Sequence, residues 1–189
     1  MKELYKKGYT QNRELSWLRF NERCLEEALD ESPLELEAMN FVKIFSGNLD
    51  EFFMVRVGSL MDLDRVAPES RDPLSGMSPS RQLKQICKNT RYLYYKREQI
   101  YEKVRKNLRE KGIWIKNNEE LTDPEREVCF AYFRDVLLKQ VSIRFLSGMD
   151  GLPELKNNQT VLMGKLDEGY YSIVSFPEEM PALLALENG

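Results

Sequence analysis

The sequence predicts a mainly α protein, an N-terminal antiparallel helical bundle followed by an incomplete α+β second domain. Three observations predict this. Apolar residues recur three and four apart through most of residues 14–111. Turn residues and short strand-like segments take over after Gly112. The sequence then stops at Gly189, just after the apolar run Ala182-Leu183-Leu184-Ala185-Leu186, which suggests a second domain cut short. The domains are accordingly expected at 1–111 and 112–189.

The first helix is expected over 14–31, where Trp17, Leu18, Asn21, Cys24, Leu25, Ala28 and Leu29 share one face and Asn21 is its polar interruption. Ser32-Pro33-Leu34-Glu35 restarts the chain, with Ser32 as cap, Pro33 at the first helical position and Glu35 completing a capping box. A second helix follows through Leu34, Ala38, Phe41, Val42 and Phe45. Ser46-Gly47-Asn48 is expected to interrupt it, because glycine is a poor helix former and Asn48 a good N-cap, with Glu51 closing a second box. The segment from Leu49 to about Asp64 reads either as a new helix or as the same helix with a kink.

Residues 65–77 carry Pro68, Pro73 and Gly76 and read as a loop. Ser78-Pro79 opens the longest helix, to about Lys111. Its seam of Leu83, Ile86, Thr90, Leu93, Arg97, Ile100, Val104 and Leu108 must face other helices. Beyond Gly112, Ile113-Trp114-Ile115 suggests a short strand. Thr122-Asp123-Pro124-Glu125 starts a helix to about Gln140. Gly148, Gly151, Pro153 and Asn157-Asn158 are turn signals. Thr160–Leu166 and Tyr170–Phe176 suggest a hairpin around Asp167-Glu168-Gly169, before a turn at Pro177-Glu178-Glu179-Met180-Pro181. A hairpin alone is marginally stable, so more strands or a covering layer are required.

Composition narrows the function. The chain has 189 residues, a net charge of −3 and no run of apolar residues long enough to span a membrane, so a soluble protein is expected. Met1 to Thr10 is polar and basic, unlike a secretory signal. Cys24, Cys87 and Cys129 lie far apart among apolar neighbours and read as buried free thiols, which places the chain in a reducing cytoplasm. There is no histidine, which excludes for this chain any mechanism using an imidazole base, a phosphohistidine or a histidine-ligated metal.

Two stretches carry a family resemblance. Asn12-Arg13-Glu14-Leu15-Ser16-Trp17-Leu18-Arg19-Phe20-Asn21-Glu22-Arg23 and Phe45-Ser46-Gly47-Asn48-Leu49-Asp50-Glu51-Phe52-Phe53-Met54-Val55-Arg56-Val57 resemble, in order and spacing, the opening of bacterial polyphosphate kinases. Tyr171-Ser172-Ile173-Val174-Ser175-Phe176-Pro177 is similar to the family's head-domain pattern. Leu138–Phe145 departs from the proline-rich strand entry usual there. The resemblance implies a parent enzyme that reversibly transfers the terminal phosphate of ATP to polyphosphate, through a phosphorylated histidine and with Mg2+. It implies that the histidine and metal ligands belong to two C-terminal domains outside this sequence, so this part alone is expected to be inactive and to hold no Mg2+. It further implies that the helical part helps to hold the adenine of ATP and that the head domain supports a homo-oligomer. No nucleic acid or membrane partner is implied.

By the same resemblance Asn48 matches the position that contacts the nucleotide, and its amide offers a donor and an acceptor to an adenine edge. Capping and ligand contact are compatible roles. Asp50 and Glu51 read as helix-start charges, with a metal site the weaker alternative. Arg56 reads as the partner of an acid, with a phosphate contact the alternative. Trp17 and Phe20 read as core, with stacking on adenine the alternative. Residues 81–116 hold twelve Lys/Arg against three Glu, either a solvated face or a surface for a polyanion such as polyphosphate. A competing reading of the whole chain is a free-standing helical binding module with no catalytic parent.

Overall fold

The computed structural model describes residues 12–30, 34–147, 151, 153–156, 159–177, 180–181 and 183–186. The Ser32–Pro33 cap, Gly148, Asn157-Asn158 and Glu178-Glu179 lie outside the described residues. Two compact units divide between Ile115 and Lys116.

In the first unit, α1 spans Arg13–Glu26 and tightens into a 3-10 turn over Glu27–Leu29. The Asn12 side chain caps it, accepting from the Leu15 amide at 3.1 Å while its Nδ2 donates to Gln82 Oε1 at 2.6 Å. Next, α2 spans Glu35–Glu51, and a wide-turn π segment, Phe52–Val57, carries it without a break into α3, Gly58–Val66. The expected interruption at Ser46-Gly47-Asn48 therefore does not occur, and Asn48 is not an N-cap. The reason is burial. Phe45, Leu49 and Phe52 continue one apolar seam across the glycine, and all three are almost fully buried. Burying three such side chains is worth several times the ~1 kcal/mol that a helical glycine costs. Ser46 also donates its hydroxyl to the Val42 carbonyl at 3.0 Å, inside the helix.

After α3 the chain turns. Asp72 accepts from the amide and hydroxyl of Ser75 at 2.7 and 2.6 Å, and Gly76 adopts the left-handed conformation (φ 67°) that closes the turn. Ser78 then caps α4, Pro79–Glu110, with Pro79 in its first turn. The seam of α4 is as expected: Ile86, Thr90, Leu93, Ile100, Val104 and Leu108 are buried, and Thr90 donates to the Ile86 carbonyl. Helices α1, α2 and α4 pack pairwise around one core that includes Leu18, Leu25, Val42, Phe45, Leu49 and Leu93. Lys96 of α4 bridges Glu22 (2.7 Å) and Glu26 of α1. Partial burial would lower its pKa, but the hydrogen bonds and charges of the two carboxylates raise it overall.

Residues 113–115 are not a strand. Side chains of α4 fix them instead: Arg109 lies 3.9 Å from the Trp114 ring centroid, and Arg105 donates to the Ile115 carbonyl at 2.8 Å. The cysteines are free, but only partly as expected, because Cys87 is exposed and Cys24 and Cys129 are half-buried. Cys87 follows Ile86 and so falls outside the seam.

In the second unit, Thr122 and Glu125 form the expected capping box at the start of α5, Asp123–Tyr132, which widens into a π segment over Phe133–Leu137. Lys116 pairs with Glu125 at 2.5 Å. The Lys116 and Thr122 hydrogen bonds hold the Glu125 carboxyl at a pKa of about 2. The hairpin is present as β2, Val161–Asp167, and β3, Tyr170–Ser175, with Gly169 in the left-handed conformation of the turn. A third strand, β1 (Ser142–Ser147), pairs antiparallel with the far side of β3, giving the order β1-β3-β2. Arg144, Ile173 and Met163 share one face, where Ile173 is buried. Ile143, Val174 and Leu162 share the other, with Ile143 and Leu162 exposed.

Candidate functional site

Where α1 lies beside the end of α2 and the π segment, an open cleft of about 380 Å³ forms. Its floor is aromatic. Trp17 of α1 stacks in parallel on Phe52, centroids 4.3 Å apart and planes 4° from coplanar. Phe52 is itself buried and meets Phe53 edge-on. The wide π turn aims Phe52 into the core while Val55 and Arg56 line the cleft. Such turns recur at functional sites.

Asn48 reaches the cleft from the last turns of α2. Its Nδ2 donates to Asn21 Oδ1 at 3.1 Å. Asn21 is fully buried and donates its own Nδ2 to the Phe45 carbonyl at 3.0 Å. The apparent flaw in the apolar face of α1 thus holds Asn48 in place. Among the described residues the Asn48 side chain makes no other hydrogen bond, so its second N–H and its carbonyl oxygen are available to a ligand.

The other expectations resolve individually. Trp17 is half-buried and packs against the core as anticipated. Phe20 does not: it is 49% exposed on the cleft wall, with the Arg23 guanidinium 5.9 Å from its centroid. Asp50 and Glu51 are exposed and sit at the end of α2 rather than at a helix start. Neighbours on a helix point about 100° apart, and no group of three or more metal-ligating side chains occurs among the described residues. Arg56 forms no ion pair among the described residues and is exposed beside the cleft, so its expected acidic partner is not found. Asn21 is the residue that sequence reasoning missed. Its signal was an amide at the centre of an otherwise apolar seam, a position that demands a polar partner.

A second cavity of about 390 Å³ lies between the start of α1, α3 and the turn after it. Its polar groups are committed elsewhere, Arg13 to Glu14, Asp72 to Ser75 and Gln82 to Asn12 and the Met77 carbonyl. No described helix is long and apolar enough to cross a membrane.

Fold and cleft together define a helical-bundle domain with an open groove of aromatic rings and one oriented amide, joined to a small α+β unit. The family model described as the polyphosphate kinase N-terminal domain matches residues 10–116. A polyphosphate kinase of Synechocystis sp. is 35% identical over 185 residues, covering 95% of this chain and 25% of its own length. One of Helicobacter pylori is 35% identical, covering 94% and 27%. The chain belongs to the polyphosphate kinase family and spans about a quarter of the length of the curated relatives it matches. The crystal structure of polyphosphate kinase from Porphyromonas gingivalis shares the fold, with a TM-score of 0.59 at 23% identity over 86% of this chain and 24% of that one.

Proposed function

We propose that this chain is the nucleotide-side portion of a cytoplasmic polyphosphate kinase that reversibly transfers the terminal phosphate of ATP to polyphosphate, and that its cleft receives the adenine. The observation that carries this reading is the Asn48 amide, held by Asn21 beside a wall of Trp17 and Phe20 with one donor and one acceptor unspent. An adenine edge presents the complementary pair, and its ring matches a flat aromatic wall. Arg56, exposed along the cleft with no ion pair among the described residues, supports a contact with the phosphate side of the nucleotide. Phosphohistidine chemistry belongs to other parts of a longer protein, because this sequence has no histidine, and Mg2+ is assigned there with it. The α+β unit serves assembly into a homo-oligomer.

The test is Asn48→Ala in a full-length enzyme carrying this domain. ATP affinity, measured by isothermal titration, should fall about tenfold, corresponding to about 1.4 kcal/mol. Unchanged affinity alongside reduced folding stability would make Asn48 a packing residue only. This chain alone should bind ATP weakly, since an open half-pocket does not pre-organise a ligand.

A further inference from the structure

The charge excess on α4 is unevenly spent. In its C-terminal half four of six cations are committed: Lys96 to Glu22 and Glu26, Arg97 to Glu98, Arg105 to Glu102 and the Ile115 carbonyl, and Arg109 to the Trp114 ring; Lys103 and Lys106 form no ion pair among the described residues and do not continue the N-terminal row. In its N-terminal half, Arg81, Lys84, Lys88 and Arg91 are all exposed and form no ion pair among the described residues. No acidic residue of α4 precedes Glu98.

Their spacing of three, four and three residues sets them in one row. At 100° per residue the row lies about 180° from the buried seam of Gln82, Ile86, Thr90 and Leu93, along the outermost line of the bundle. At 1.5 Å per residue the four charges span about 15 Å, roughly one every 5 Å. Such a rod suits an unbranched polyanion bearing charge on every repeat. Sites for single-stranded nucleic acid combine cations with aromatic platforms on which the bases stack. Here no aromatic lies between Arg81 and Arg91, and the exposed Tyr92, Tyr94 and Tyr95 follow Arg91, the last cation of the row.

Resting on the reading that the parent enzyme handles polyphosphate, we propose that Arg81, Lys84, Lys88 and Arg91 form an electrostatic docking ridge for a linear inorganic polyphosphate chain, separate from the adenine cleft. The ridge holds the polymer by counterion release rather than by a shaped pocket, so binding is strongly salt-dependent.

The experiment measures binding of fluorescently labelled inorganic polyphosphate to this 189-residue chain over a salt series. The ridge variant carries Arg81→Gln, Lys84→Gln, Lys88→Gln and Arg91→Gln. A control removes equal charge elsewhere through Lys43→Gln, Arg65→Gln, Lys103→Gln and Lys106→Gln. The ridge variant should bind at least about tenfold more weakly, and its slope of log Kd against log salt should fall by about three. The control should stay within about twofold of the wild type. The double variant Lys84→Gln/Lys88→Gln should show about half the slope change, which keeps the test readable if four substitutions disturb folding. The proposal is overturned if the wild type does not bind polyphosphate, if ridge and control variants lose affinity equally, or if single-stranded DNA of equal charge binds as tightly. ATP titration of the same proteins separates the two readings: the ridge variant should match the wild type toward ATP, and Asn48→Ala should keep polyphosphate affinity. Absence of ATP binding throughout would leave the ridge result intact, the adenine cleft being tested by Asn48→Ala in the full-length enzyme.

Discussion

Asn21 and Asn48 are twenty-seven residues apart in sequence and joined by one hydrogen bond, and the cleft depends on that bond. Removing Asn21 strips Asn48 of its anchor and the Phe45 carbonyl of a donor, both in or near the core. Asn21→Ala should therefore cost about 2 kcal/mol of folding stability, and Asn48→Ala about 1 kcal/mol, measured by urea denaturation. The two effects should be strongly non-additive in a double-mutant cycle, because each substitution abolishes the same contact. A cycle that sums would mean that the amides act independently. At this scale the sequence was informative about identity and poor about role. The motif around Asn48 was visible, but its position inside a helix was not, since an asparagine after a glycine carries the same local signature whether it starts a helix or sits within one. Phe20 looked like core because hydrophobic type was legible and the side of α1 it occupies was not.

Among the elements, the seam of α4 could be read almost residue by residue, because a long helix repeats its pattern often enough to average out Thr90 and Arg97. At the passage from α2 to α3 the local signals favour an interruption at Ser46-Gly47-Asn48 and leave a new helix and a continued one both open. There the decisive quantity is tertiary burial of Phe45, Leu49 and Phe52, which no local propensity contains. Gly47→Ala tests this directly. A Cβ at Gly47 meets nothing within 4 Å, and its backbone is helical. The substitution should stabilise the bundle by about 0.5–1 kcal/mol, seen as a rise in the denaturation midpoint; destabilisation would favour a non-helical Gly47. The start of α5 gives a pH test. Glu125 has its pKa lowered from 4.5 to about 2, chiefly by the Lys116 hydrogen bond and then by Thr122. A depressed carboxyl stabilises fully above its unfolded value and loses that contribution as pH falls through the folded one. The Tm deficit of Glu125→Gln should hold at pH 7, shrink below pH 4.5 and vanish near pH 2. A deficit independent of pH would show that charge is not involved.

For the molecule as a whole, the order of a helical unit followed by an α+β unit was legible from texture alone, whereas the third strand, β1, was not. β1 escaped notice because Ser142-Ile143-Arg144-Phe145 alternates over too short a stretch and its apolar side chains stay exposed, giving no burial signal. The absence of histidine, by contrast, needs no structure to interpret. Incubated with ATP and Mg2+, the purified chain should form no polyphosphate by gel staining, and robust synthesis would overturn the placement of catalysis elsewhere.

The strand order has one more consequence. β3, at the centre of the sheet, is also the last of its strands among the described residues, where β1 has no other partner than residues 170–175. A ribosome emitting the chain from its N-terminus holds Ile143 and Phe145 on an unpaired edge through the whole interval. Translation arrested before Tyr170 would therefore release the species most prone to stick to its neighbours.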